Sequence, residues 1–136
     1  MRLLDSLVIV AALVVVAACS AAPAATPAVE TLNLPADIDV ATAASLRERD
    51  DVVMLDVRTP EEYDQGHIPG VMLIPLDQVA NRLAEIPKDK TLVVTCRSGN
   101  RSAQAAELLR QKGYEDVHNM LGGFGAWEKA GYPVEK

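Results

Sequence analysis

The stretch LVVTCRSGNRS, residues 92–102, places a lone cysteine between a strand-like segment and a helix-like one. Its first four residues are aliphatic or β-branched, which favours a buried strand. Gly99 and the polar residues around it predict a tight loop, and the segment 102–113, rich in alanine and leucine, predicts a helix. Strand, loop and helix in this order are typical of α/β proteins, whose ligand sites lie at the carboxyl ends of the strands.

The rest of the chain repeats this alternation. Aliphatic runs at 52–57, 71–74 and 91–96 lack the in–out pattern of a half-exposed strand, which favours parallel strands covered on both faces. Weaker patterns predict edge strands at 32–34 and 117–121. The sequence therefore predicts an α/β fold: a single domain with a mainly parallel central sheet of about five strands, flanked by helices on both faces.

Helices are predicted at 39–49, 59–66, 77–86, 102–113 and 123–131. Asp39 is the expected N-cap of the first helix, and Thr59 with Glu62 has the spacing of a capping box at the start of the second. In the last helix, Phe124 and Trp127 are expected to pack in the core rather than to bind a ligand.

The first 31 residues are expected to precede the folded domain. Residues 1–18 carry an apolar run with the length of a signal-peptide core, shorter than the roughly 20 apolar residues of a membrane-spanning helix. The run ends in VAAC, residues 16–19, which resembles the lipobox of bacterial lipoproteins. This resemblance implies cleavage before Cys19 and lipidation of that cysteine, and an ordinary cleaved signal peptide is the alternative.

The resemblance to a lipobox implies an exported protein that a lipid on Cys19 anchors to a membrane. In a Gram-negative cell the domain would lie in the periplasm, and Ser20 favours anchoring to the outer membrane. Residues 19–31 are rich in alanine and proline and are predicted to form a disordered tether. Residues 32–136 are predicted to form the domain.

The charge balance narrows the range of partners. The formal net charge is −6 and aromatic residues make up 4% of the chain, which argues against nucleic-acid binding. A hydrophobic content of 49% suffices for the core of one domain of this length. Against the acidic background, Arg97 and Arg101 stand out.

The loop CRSGNRS, residues 96–102, combines features that activate a thiol. Successive main-chain N–H groups in a tight loop, with the amino end of the following helix, form a site for anions. The loop arginines add positive charge, and Ser98 and Ser102 add hydroxyl donors. Cys96 is therefore predicted to be a nucleophilic thiolate rather than a buried structural thiol.

Three segments, in order, resemble the rhodanese family of sulfurtransferases: LDVRTPEEYDQGHIPGV at 55–71, CRSGNRS at 96–102 and GGFGAW at 122–127. The resemblance covers residues 32–136. It implies that Cys96 takes sulfur from a small anionic donor such as thiosulfate, holds it as a persulfide, and passes it to cyanide or to a thiol, including a protein thiol. It implies no metal or organic cofactor.

The resemblance also implies roles for individual residues. Cys96 is catalytic, the main-chain amides of the loop stabilise the persulfide, and the arginines orient the donor. The predicted substrate-binding residues are Arg97, Ser98, Gly99, Asn100, Arg101 and Ser102. Asp56, Arg58, Glu62 and His67 are predicted to be structural: Arg58 pairs with Asp56 or Glu62, and His67 bonds to the backbone in a turn. His118 is expected to be peripheral, and the two histidines form no recognisable metal site.

Two other functions stay open at this point. Phosphatases and arsenate reductases of the same fold place an arginine after five intervening residues, whereas Arg101 follows Cys96 after four, so the shorter loop favours sulfur over phosphorus. Rhodanese-like domains also occur as non-catalytic binding or sulfur-carrier modules. Inactive domains usually lack the cysteine, and this chain retains it.

Overall fold

Five strands form one sheet in the order β1-β5-β4-β2-β3, and every pair of neighbouring strands is parallel. The structure, a computed structural model, describes residues 32–136. The strands are β1 (Asp37–Ile38), β2 (Val52–Asp56), β3 (Met72–Leu73), β4 (Thr91–Thr95) and β5 (Val117–Met120). The predicted signal peptide, lipidated Cys19 and tether lie outside the described residues.

Helices connect the strands and cover both faces of the sheet, which confirms the predicted fold. They are α1 (Val40–Leu46), α2 (Pro60–Asp64), α3 (Leu76–Val79), α4 (Asn100–Gln111) and α5 (Gly123–Lys129), with a 3-10 helix at Leu83–Glu85. None of the helices within residues 32–136 has the length and apolar character needed to span a bilayer.

Residues of β4 alternate between two hydrophobic cores, one on each face of the sheet. Leu92 and Val94, with Cys96 just beyond the strand, pack in a core with α4, whereas Val93 packs in a second core with Phe124 and Trp127 of α5. A strand buried on both faces favours aliphatic and β-branched residues without an in–out alternation, which explains the pattern TLVVT.

The predicted N-caps of the first two helices are confirmed. The carboxylate of Asp39 accepts a hydrogen bond from the N–H of Thr42, 2.7 Å away, and Thr59 and Glu62 form a reciprocal capping box at α2. At the other loop, α4 begins at Asn100, two residues before the predicted start at Ser102. The second arginine of the loop therefore belongs to the first helical turn.

The edge strand predicted at 32–34 is wrong, because β1 is formed by Asp37 and Ile38 instead. Pro35 has no N–H group, and pairing with β5 starts only beyond it, where the carbonyl of Ala36 accepts the N–H of Asn119 at 2.8 Å. Leu32 and Leu34 are partly buried against the core with α5, so their apolar character serves packing rather than sheet pairing.

The single helix predicted at 77–86 is also wrong: α3 ends after Val79, and the 3-10 helix follows at Leu83–Glu85. Tyr114 contacts the 3-10 segment: its hydroxyl lies 2.7 Å from the carbonyl oxygen of Leu83 and 3.1 Å from that of Ile86. The carbonyl of Leu83 also accepts the N–H of Ile86 at 3.1 Å, within the 3-10 turn. The apolar face was read correctly, since Val79, Leu83 and Ile86 all pack in the core with α4.

Candidate active site

Cys96 lies immediately after β4, at the base of the loop that leads into α4. The N–H of Gly99 donates to Sγ at 3.1 Å, and the hydroxyl oxygen of Ser102 lies 3.4 Å from the same sulfur. The exposed fraction of Cys96 is 0%, although Arg97, Ser98 and Asn100 beside it are exposed. The predicted loop therefore does curl around the sulfur, with the thiol beneath it.

The surroundings of Cys96 favour the thiolate on balance. Burial alone raises the pKa of the thiol, and it is the largest single influence. The Ser102 hydroxyl and the main-chain N–H groups of Ser102, Ser98 and Gly99 act in the opposite direction, and together they hold the pKa of Cys96 below its ordinary value. The thiol is thus activated by neutral hydrogen-bond donors.

Two glycines allow this loop geometry. Gly99 caps α4 with φ +99°, in the left-handed region that glycine favours. Gly123, with φ +57°, packs directly behind the loop, where an added Cβ would overlap the carbonyl oxygen of Cys96. The N–H groups of Phe124 and Gly125 then donate to the carbonyls of Cys96 and Arg97, at 2.7 and 3.0 Å. The GGFGAW segment therefore supports the loop from behind.

Arg101 is paired with Glu62, a contact between the loop and the capping box of α2. Nη1 and Nη2 donate to the two carboxylate oxygens at 2.7 and 2.8 Å. The guanidinium lowers the pKa of Glu62 to about 2. Arg97 is more exposed and lies 3.2 Å from the carboxylate of Glu128 in α5. Both loop arginines thus face a carboxylate, which reduces the net positive charge offered to a ligand.

Asp56 and Arg58 form a fully buried ion pair at the end of β2, as predicted. Arg58 donates to the Asp56 carboxylate through Nε at 2.9 Å and through Nη2 at 2.7 Å. Its remaining N–H groups reach the carbonyls of Glu62 and Gly66, and its guanidinium lies 4.2 Å from the centre of the Phe124 ring. The pair ties the turn after β2 to α2 and α5.

The two histidines have structural contacts. Nδ1 of His67 lies 3.1 Å from the carbonyl oxygen of Tyr63, and the two rings stack 3.8 Å apart, in agreement with the predicted backbone contact. His118 is not peripheral: it is 4% exposed in β5, between the carbonyl of Pro35 and the carboxylate of Asp116. Among residues 32–136, no group of three or more candidate ligands could hold a metal ion.

Sequence reasoning missed Asn119, whose Oδ1 accepts a hydrogen bond from Ser102 at 2.7 Å. An amide in the buried run VHNM is a usable signal, because a buried polar group requires a partner. A groove of about 410 Å³ lies between the end of α1, β2 and the turn before β3. No residue of the thiol loop, 96–102, lines this groove, so it is separate from Cys96.

The fold and the loop together define a parallel α/β protein with one activated cysteine at the carboxyl edge of its sheet. The sequence matches the model of the Rhodanese-like domain family over residues 39–130, and the chain belongs to that family. A sulfurtransferase from Allochromatium vinosum is 45% identical over 65% of this chain and 83% of the relative. The thiosulfate sulfurtransferase GlpE from Pseudoalteromonas translucida is 39% identical over 68% of this chain and 89% of the relative.

Solved structures agree with this assignment. A rhodanese-related protein from Thermoplasma volcanium has a TM-score of 0.69 and 33% identity, covering 74% of this chain and 98% of that chain. A Rhodopseudomonas palustris protein of unknown function, described as a possible tyrosine phosphatase, has a TM-score of 0.70 and 33% identity, covering 73% of this chain and 83% of that chain. The shared architecture thus occurs in proteins linked by name to two chemistries.

Proposed function

We propose that the protein is a sulfurtransferase that moves a sulfane sulfur from an anionic donor such as thiosulfate to a thiol or cyanide, through a persulfide on Cys96. The observation that carries this proposal is the 3.1 Å hydrogen bond from the Gly99 N–H to Sγ, with the Ser102 hydroxyl beside it. Both donors favour a thiolate, and the main-chain N–H groups of the loop would also favour the anion of a bound persulfide. The sulfurtransferase names of two relatives support the same reaction.

The first step is attack by the Cys96 thiolate on the outer sulfur of thiosulfate. A new S–S bond forms, the bond between the outer sulfur and the sulfonate breaks, and sulfite leaves with the electron pair. In the second step cyanide or an acceptor thiolate attacks the outer sulfur of the persulfide. The Cys96 thiolate is then the leaving group, and the product is thiocyanate or a new persulfide.

The loop geometry adds two conditions to this proposal. Because Cys96 has no exposed surface, the exposed loop residues must move aside before a donor reaches the sulfur. Because Arg97 and Arg101 face Glu128 and Glu62, an anionic donor must compete with these carboxylates for the guanidinium groups. A partner protein that carries the donor or the acceptor could meet both conditions, by displacing the loop residues and by competing for the arginines.

The test is intact-mass spectrometry of the protein after incubation with thiosulfate, with Cys96→Ser as the control. We expect a gain of one sulfur atom on the wild type only, and its loss on addition of cyanide. If the wild type gains no sulfur from several donors but hydrolyses p-nitrophenyl phosphate in a Cys96-dependent way, the phosphatase alternative replaces this proposal. If it shows neither reaction, the protein is a binding module.

We further propose that the protein acts outside the cytoplasm, anchored to a membrane by a lipid on Cys19. The VAAC segment supports this proposal. Growth of an expressing strain with an alkyne-labelled fatty acid should label the wild type and leave Cys19→Ala unlabelled. Equal labelling, or none in either, would contradict the anchor.

A further inference from the structure

A line of hydrogen-bonding side chains leads from Cys96 to the edge of the sheet. The Ser102 hydroxyl lies 3.4 Å from Sγ and donates to Oδ1 of Asn119 at 2.7 Å. Nδ2 of Asn119 in turn donates to the carboxylate of Asp37 at 3.0 Å. Cys96, Ser102 and Asn119 are all buried, whereas Asp37 is exposed.

Asp37 fixes which way the amide of Asn119 points. A carboxylate can only accept, so the NH₂ group must face Asp37 and the carbonyl oxygen must face Ser102. Strand pairing supports this arrangement, because Asp37 and Asn119 are direct neighbours in the parallel register of β1 and β5. Asn119 therefore presents an acceptor to the Ser102 hydroxyl.

The hydroxyl of Ser102 has one proton, and two acceptors lie within its reach: Sγ of Cys96 and Oδ1 of Asn119. When Cys96 is a thiol, its S–H can donate to the Ser102 oxygen while Ser102 donates to Asn119, and every group is satisfied. When Cys96 is a thiolate, the sulfur needs a proton from Ser102, and Asn119 then loses its donor in a buried site. In a persulfide the inner sulfur is neutral, and the Ser102 proton can return to Asn119.

We propose that Asn119, held by Asp37, is a positioning residue that competes with Cys96 for the Ser102 proton and so favours the sulfur-loaded form of Cys96 over the bare thiolate. The effect on the loaded form rests on the proposed sulfurtransferase function. The competition itself does not, because it concerns only the proton of Ser102.

Several other charged groups lie on the elements packed around the loop, and Asn119→Leu alters none of them. They are Arg97 and Arg101, their partners Glu128 and Glu62, the buried Asp56–Arg58 pair, and Asp37. Asn119→Leu removes the Oδ1 acceptor and retains a side chain of similar size. It changes no charge, because both side chains are neutral.

The test measures the pKa of Cys96 from the pH dependence of its alkylation by iodoacetamide, in wild type, Asn119→Leu, Ser102→Ala and the double variant. We expect Asn119→Leu to lower the pKa by about one unit, because Ser102 is freed to donate to the thiolate, and Ser102→Ala to raise it. In the Ser102→Ala background, Asn119→Leu should cause no further shift. An unchanged or raised pKa in Asn119→Leu, or an equal shift in both backgrounds, would overturn the proposal.

If Asn119→Leu does not fold, Asp37→Ser gives the same test, since Asp37 is exposed and its removal lets the amide turn. Loss of the Asp37 charge affects the pKa of Cys96 equally with Ser102 and with Ala at position 102. The test is therefore the difference between the pKa shifts that Asp37→Ser causes in these two backgrounds. A second measurement is the fraction of protein loaded with sulfur at a fixed ratio of thiosulfate to sulfite. At a pH above the pKa of Cys96 in both proteins, a pKa lowered by about one unit should make the loading equilibrium constant of Asn119→Leu fall about tenfold. A wild type that never loads would overturn the proposed function, while the pKa shifts would still support the competition.

Discussion

The guanidinium of Arg101 binds the carboxylate of Glu62 through two hydrogen bonds of 2.7 and 2.8 Å, although the two residues are 39 positions apart in the chain. This pair joins the thiol loop to the segment that follows β2. It also places a negative charge next to Arg101, which the family resemblance predicts to bind the anionic sulfur donor. Arg101 therefore has both a structural contact and a proposed role in substrate binding.

Arg101→Ala is expected to lower kcat/KM for thiosulfate by about tenfold, the effect of losing one hydrogen bond to a charged group. The fold should remain intact, because the side chain is 35% exposed. Arg101→Lys is the matched control: it keeps the charge and loses the paired geometry. Steady-state kinetics and circular dichroism are the measurements, and unchanged kinetics in Arg101→Ala would remove the residue from the donor site.

Glu62 should make the stability of the protein depend on pH. Its pKa is about 2 in the folded protein, well below the ordinary value, so the folded state binds the proton less tightly than the unfolded state. The stabilisation is complete above the unfolded pKa and is lost as the pH falls towards 2. Screening limits it to about 1 kcal/mol, since the Glu62 side chain is 30% exposed.

Urea unfolding of the wild type and Glu62→Gln at several pH values between 5 and 2 measures this contribution. The free energies of unfolding should differ at pH 5 and approach each other at pH 2. A constant difference over the whole range would mean that the ion pair is not its source.

Gly123→Ala is expected to damage the thiol loop as well as the local backbone. The residue has φ +57°, and a methyl group would overlap the main chain of Cys96 and Arg97. Gly131→Ala is the matched control, since it has φ +79° and no atom within 4 Å of the added carbon. Strain of about 1–2 kcal/mol should affect both variants, but only Gly123→Ala should slow alkylation of Cys96. Equal alkylation rates would show that the loop adapts.

The buried pair of Asp56 and Arg58 should contribute strongly to stability. Asp56→Asn leaves the Arg58 guanidinium buried without its counter-charge, and we expect a loss of about 3–5 kcal/mol in the free energy of unfolding. Asp51→Asn is a close control, because Arg49 and Asp51 have the same spacing and similar hydrogen bonds but lie at the surface. Losses of equal size in the two variants would contradict the importance of burial.

Release of Arg97 should improve binding of an anionic donor. Glu128→Gln removes the carboxylate beside Arg97, and we expect KM for thiosulfate to fall by about two- to threefold at low salt and less at high salt. Glu115→Gln is the control, because it makes the same change of charge at an exposed position just before β5. This position lies at the amino ends of the parallel strands, whereas the thiol lies at their carboxyl ends. If both variants change KM equally, net charge rather than Arg97 is responsible.

Local patterns in the sequence predicted β2 to β5, the capping box and the thiol loop, because each depends on neighbouring residues, but β5 lies inside the sheet rather than at the predicted edge. Contacts between distant segments were harder to predict. The segment predicted as one helix at 77–86 is an example: the hydroxyl of Tyr114 binds the carbonyls of Leu83 and Ile86, which precede it by about 30 positions. The pairing of Arg58 was narrowed to two carboxylates, and only the fold shows that Asp56 takes it and that Glu62 turns to Arg101.

The hydrogen bonds from Phe124 and Gly125 to the carbonyls of Cys96 and Arg97 also have a consequence for biosynthesis. A ribosome translates the cysteine long before it reaches these two residues, so the nascent thiol is without its support for that interval. In an emerging chain the Cys96 loop would lack this support until the last helix packs behind it, and we expect the thiol to be less activated until then.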